Sequence, residues 1–200
     1  MSVRRLSVLS LAVIVASCAS SAAEPKTLTL EQQMENPLFA ERYWTELTDR
    51  MVTVVLQKDP AIADPAKERT ADRIRTQALT RSQEATKARS KGLLGEFLTI
   101  REPSQGQALL QENRLYFGTT FETYPGADLR IYLSTVVDPR DAAFPDPTAI
   151  DLGKLQSPYG AQTYAIDLTP DAVKTMRTVV LWDGALGHIY GFAQLSGQGL

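Results

Sequence analysis

The chain has 200 residues, with 21 basic and 23 acidic side chains, one histidine and one cysteine. A balance this close to neutral excludes a general nucleic-acid binder. One cysteine excludes an internal disulfide, and one histidine excludes a zinc site built from several.

The first element is a leader. Arg4 and Arg5 precede a largely apolar run, Leu6 to Ala16. That run has the length of a secretory h-region and falls short of the roughly 20 residues that span a bilayer. Two processing sites follow. Ser21-Ala22-Ala23 is a small-x-small site that would release a soluble protein starting at Glu24. Val15-Ala16-Ser17-Cys18 resembles the bacterial lipobox, whose cysteine thiol receives diacylglycerol before cleavage on its N-terminal side. Cys18 is therefore the expected lipid attachment site and the membrane an expected partner. Ala19 after the cysteine implies, by the same resemblance, sorting to an outer membrane. The expected location is the bacterial cell envelope, as an outer-membrane lipoprotein facing the periplasm; the alternative is a soluble periplasmic protein. Residues 1–23 form the leader and the start of the tether, and polar residues 24–36 an extended spacer.

Residues 37–92 read as a helical hairpin. Asn36-Pro37 is a start signal, since Asn caps and Pro fits the first turn. Phe39, Tyr43, Leu47, Met51 and Val55 recur every four residues, and Trp44, Val54 and Leu56 widen the stripe, so a broad buried face is expected. Asp59-Pro60 stops this helix and Asp64-Pro65 starts the next, which runs to about Lys91 before Gly92. The second helix has a thin apolar face, Ala71, Ile74, Ala78, Ala85 and Ala88. Residues 65–91 hold eight basic and three acidic side chains, against seven basic and twelve acidic in residues 93–200. Docking of the basic helix on the acidic unit is the favoured arrangement. Anionic lipid, a partner protein and a solvated face are the others.

From Leu93 the period changes to two. Leu93 to Ile100 reads as a strand, Gln107 to Gln111 and Leu115 to Thr123 as a hairpin, and Leu129 to Ser134 as a half-buried strand. Asp138 to Pro147 is a loop, and Thr169-Pro170-Asp171 starts one helical turn. Thr163 to Ile166, Thr178 to Trp182 and His188 to Leu195 complete the strands, and residues 196–200 form a frayed tail. The fold class is α+β: an N-terminal helical hairpin followed by an antiparallel β-sandwich or small barrel.

Three blocks of the β unit carry a family likeness. Gly126-Ala127-Asp128-Leu129-Arg130-Ile131-Tyr132-Leu133-Ser134 is the first. Asp151 to Leu155 with Gly160 to Ile166 is the second, and Val179-Val180-Leu181-Trp182 with Gly191 to Leu195 the third. In order and spacing, residues 93–195 resemble the electron-transfer DM-thirteen domain. The resemblance implies this fold and a proposed redox cysteine directly after the tryptophan of the third block. This chain has Asp183 there, and a carboxylate cannot undergo thiol–disulfide exchange. A carboxylate could ligate a metal, though poorly a haem; Asp183-Gly184 is also a hairpin turn signal.

Other candidates are few. Asp128, Trp182 and His188 are the candidate surface or ligand-contacting residues. His188 with Met176 could ligate a haem, or His188 could stand half exposed at a strand start. Asp138, Asp141, Asp146 and Asp151 are oxygen ligands of the kind calcium takes, or solvated loop carboxylates. Tyr124 and Tyr159 lie on turns and could meet glycans or proteins, or pack the turns. No phosphate loop, nucleophile elbow or Cys-x-x-Cys occurs, so no catalytic residue, metal site or cofactor is assigned. The expectation is a non-catalytic, membrane-anchored lipoprotein that binds an envelope protein or glycan and no nucleic acid. The alternatives are a redox module with a prosthetic group and a calcium-dependent binding module.

Overall fold

The computed structural model describes residues 28–141 and 143–197. Cys18, the leader, residues 24–27 of the spacer and residues 198–200 of the tail lie outside them. Four α-helices and eleven strands follow in chain order: α1 (Leu30–Met34), α2 (Pro37–Leu56), α3 (Pro65–Arg89), β1 (Leu93–Thr99), β2 (Ser104–Gln105), β3 (Gln107–Gln111), β4 (Arg114–Phe117), β5 (Glu122–Thr123), β6 (Leu129–Ser134), β7 (Ile150–Lys154), β8 (Gln162–Ala165), α4 (Pro170–Thr175), β9 (Thr178–Asp183), β10 (His188–Gln194) and β11 (Ser196–Gly197).

The main sheet is antiparallel, in the order β7-β6-β9-β10-β1-β3-β4-β8, with β11 paired to the start of β1. Its edge strands, β7 and β8, are joined by only residues 155–161. From Lys154 to Gln162 such a link spans at most about 29 Å, whereas eight strands laid flat cover about 34 Å. The sheet must therefore curl until its edges approach, giving a nearly closed barrel. Phe97, Phe117, Phe121 and Tyr164 fill the interior through ring contacts of 4.5–5.6 Å. Ile131, Leu133, Val179 and Leu181 complete it, each wholly buried.

The helices pair by sevens. Ala40, Leu47 and Val54 of α2 oppose Ala85, Ala78 and Ala71 of α3, and Thr45–Ser82 and Glu41–Arg89 contacts fix the antiparallel register. Because α3 presents alanines, the helices approach closely, but alanines cover little. Phe39, Tyr43, Trp44, Met51 and Val55 are thus only half-buried, less than their stripe predicts.

The hairpin is seated on the barrel by α2, not by the charge of α3. Leu38 packs on Leu94, Leu109 and Tyr116, which face outward from β1, β3 and β4. Asn36 caps α2 by accepting from the N–H of Leu38 and Phe39, and its Nδ2 donates to the Phe117 carbonyl at 2.8 Å. The ion pairs of α3 among the described residues, Arg75–Asp72, Arg81–Glu84 and Arg89–Glu41, stay within the hairpin. Its bond to the barrel is uncharged, from Gln111 to the Ala88 carbonyl.

Three local differences from the sequence expectations have local causes. Residues 30–34 are helical where an extended spacer is expected, because Thr29 and Gln32 form a capping box. The strand expected to reach Thr123 ends at Phe117, where Gly118 and Phe121 close a turn, and Glu122–Thr123 pairs instead with Ser104–Gln105. Ser196 and Gly197 are not frayed but pair with Leu94 and Leu93.

Candidate functional site

Asp183 ends β9 with its side chain turned into one end of the barrel, wholly buried. Its Oδ1 accepts from the N–H of Ala185 at 2.9 Å and Leu186 at 3.0 Å, and its Oδ2 from the N–H of Ala127 at 2.9 Å. One carboxylate therefore holds both the β9–β10 turn and the loop that leads into β6. Burial pushes this carboxyl up; the N–H groups of Leu186, Ala127 and Ala185 outweigh burial and hold it below its ordinary value. Gly126 is required beside it, since a Cβ there would stand 2.6 Å from Oδ2 and 2.9 Å from the Tyr190 hydroxyl oxygen. The turn closes through Gly187, in the left-handed region at φ 65°, whose N–H donates to the Asp183 carbonyl.

His188 lies directly across from Asp183 in the β9–β10 register. A register shift between Ile189 and Gly191 brings Tyr190 into the interior, where its ring stacks on His188 at 5.3 Å. Burial, and then the negative charge of Asp183, push the Tyr190 hydroxyl above its ordinary value. The His188 Nε2 is buried and has no hydrogen-bond partner among the described residues. Met176 precedes the far end of β9, whose six residues separate it from His188 by about 16 Å or more. One haem iron cannot take both, so the paired His188–Met176 reading falls.

Trp182 is on the opposite, outer face of the same strand. It packs on Phe144 at 5.3 Å, and Phe144 on Tyr132 at 5.4 Å. Beside this aromatic row runs a chain of charges. Arg130 donates to Asp151 through Nε at 2.9 Å and Nη2 at 2.7 Å, and Lys154 pairs with Asp128 at 3.2 Å. The Asp128 Oδ1 is buried and accepts no hydrogen bond among the described residues, where its ion pair with Lys154 compensates it. Burial pushes the Asp151 carboxyl up, and its bonds to Arg130 and the Gly153 N–H outweigh that and lower it.

The four loop aspartates do not converge. Asp138 is engaged by Arg140, Asp151 by Arg130, and Asp146 accepts from Ser134 at 2.7 Å and from Thr148. Among the described residues no three or more His, Cys, Asp or Glu are placed to hold one metal ion.

The structure thus brings Asp183 and His188 together inside the barrel end and places Trp182 and Asp128 by the outer face. Sequence reading missed Tyr190, Phe144 and the Arg130–Asp151 pair. Nothing local marked Tyr190 as a neighbour of Gly126.

Residues 96–195, half of the chain, match the family model described as Electron transfer DM13, and the chain belongs to that family. No curated protein and no solved structure matches it. The position where the resemblance expects a redox cysteine is the buried carboxylate of Asp183, and the only cysteine of the chain is Cys18. The residues present at that position do not supply a thiol-based redox group.

Proposed function

We propose that the chain is a membrane-anchored lipoprotein of the cell envelope whose barrel is a non-catalytic module for binding a partner protein or glycan. The observation that carries this reading is the engagement of Asp183. Both of its oxygens accept backbone N–H groups in a buried setting, so it acts as a structural pin at the family's redox position. The Val15-Ala16-Ser17-Cys18 run supports the anchor, since two or more acyl chains on one cysteine give stable attachment. The outer membrane, periplasmic side, is the location this reading favours. The surface best suited to binding is the outer face with Trp182, Tyr132 and the Arg130–Asp151 pair, where amphipathic aromatics lie beside fixed charges.

Two measurements on protein from its own cells test this. The visible absorption spectrum is expected to be flat; a Soret or flavin band would favour the redox alternative that the family description carries. A photo-crosslinker in place of Trp182 is expected to yield envelope adducts in intact cells, while one at Asp171, at the far end of the barrel, yields none. Equal labelling from both positions would argue against the face.

A further inference from the structure

Several loop regions leave the barrel at the same end, among them residues 100–106, since Thr99 lies opposite Gly191 and Glu96 opposite Gln107. In the strand registers Leu129 lies opposite Asp183, Arg130 opposite Lys154, and Phe117 opposite Gln162. Residues 118–128, 155–161 and 184–187 therefore share one rim. They are stitched together: the Thr123 N–H donates to the Pro158 carbonyl at 3.0 Å, Glu122 bridges to Tyr159, and Asp183 joins Ala127 to Leu186. On this rim stand Tyr124, Tyr159 and Leu186, which are 54%, 57% and 59% exposed. Single exposed apolar side chains need no explanation, but three on one hydrogen-bonded ring form a surface.

The described chain begins beside the same rim. Leu28 is 53% exposed and shares a cleft with Thr119, Gly160 and Ala161. Cys18 and Leu28 are ten residues apart in the sequence, so at most about 35 Å separates them in any conformation. Helix α2 also runs past this end, since Glu46 lines a cleft with Gln105, Gly106 and Thr120. The hairpin tip, with Leu56 76% exposed, is thus carried beyond the same rim.

We infer that this end of the barrel rests on the bilayer, with Tyr124, Tyr159 and Leu186 at headgroup level and the hairpin tip as a second foot. The inference rests on acylation of Cys18. The short tether keeps the rim near the lipid, and tyrosine suits the interface because its ring is apolar and its hydroxyl stays wet.

The test uses the acylated full-length protein in vesicles of phosphatidylethanolamine and phosphatidylglycerol. With the Cys18 sulfur blocked by lipid, a cysteine introduced by Tyr159→Cys, Leu186→Cys or Asp171→Cys is the one free thiol for an environment-sensitive fluorophore. Labels at positions 159 and 186 are expected to shift to the blue and lose iodide quenching on vesicles, with no change at 171. Adding Tyr124→Ser and Tyr159→Ser to the Leu186→Cys protein should abolish the shift while the protein still floats with vesicles. Flotation with labels at 159 and 186 as quenchable as at 171 overturns the rim contact and leaves the anchor standing. Uptake of thiol reagent by the unsubstituted protein, with no flotation, overturns the anchor itself and the inference with it.

Discussion

Removing the Asp183 carboxylate takes the acceptor from three part-buried backbone N–H groups, those of Ala127, Ala185 and Leu186. Water reaches these donors in part, so each lost bond costs less than a fully buried one, and Asp183→Ala is expected to lose about 2–3 kcal/mol in denaturant unfolding. A loss under about 1 kcal/mol would mean that the pin is not structural. The same site has a pH signature. A carboxyl held below its ordinary value of about 3.9 stabilises the fold above that pH, and the contribution drains as pH falls through the depressed value. Asp146 acts in the same direction: burial raises it, and the Thr148 and Ser134 hydroxyls outweigh that and lower it. The melting temperature should fall from pH 4 to pH 2, and less steeply in Asp183→Asn, because that variant has one titrating group fewer. Identical slopes would exclude Asp183 as a contributor. Asp183 could be read from the sequence as a turn residue and as a departure from the family. Its third donor, the Ala127 N–H, could not, because it is 56 positions away and arrives only when β6 pairs with β9.

Asn36 and the helix pair show what is legible at the level of elements. Asn36-Pro37 and Asp64-Pro65 marked both helix starts, because capping is local chemistry. The second use of Asn36, its Nδ2–H bond to Phe117, links positions 81 apart and has no local signal. Asn36→Ala removes the cap and this bond together, and a loss of about 2 kcal/mol is expected by thermal or chemical unfolding. A loss no larger than an ordinary cap's ~1 kcal/mol would mean the bond to the barrel contributes nothing. The alanines of α3 were visible as a thin face; their spacing by sevens against Ala40, Leu47 and Val54 emerges only when both helices are in hand. Strand β7 escaped the sequence reading because its partners, Arg130 to Leu133, precede it across a loop rich in proline. Its alternation is also broken by Gly153, in the left-handed region at φ 102°.

The whole molecule joins a densely filled barrel to a sparsely packed hairpin. Barrel residues such as Val179, Leu181 and Ile131 are wholly buried, whereas beyond Glu46 only Val54 of α2 is buried. Local opening should follow that gradient. Amide hydrogen exchange is expected to be slowest in β6, β9 and β10 and faster, among the regular elements, in residues 47–56 and 65–75. Uniform protection across hairpin and barrel would show that they open as one unit. The family match covers the barrel and leaves the hairpin outside, so the hairpin's role has to come from its own surfaces. Where the family resemblance expects a redox cysteine, this chain holds the buried, backbone-bonded carboxylate of Asp183. Protein-film voltammetry of the full-length protein purified from its own cells shows whether that carboxylate has replaced electron transfer. No reversible wave is expected from the native protein; a reversible wave that survives exhaustive dialysis would contradict that replacement.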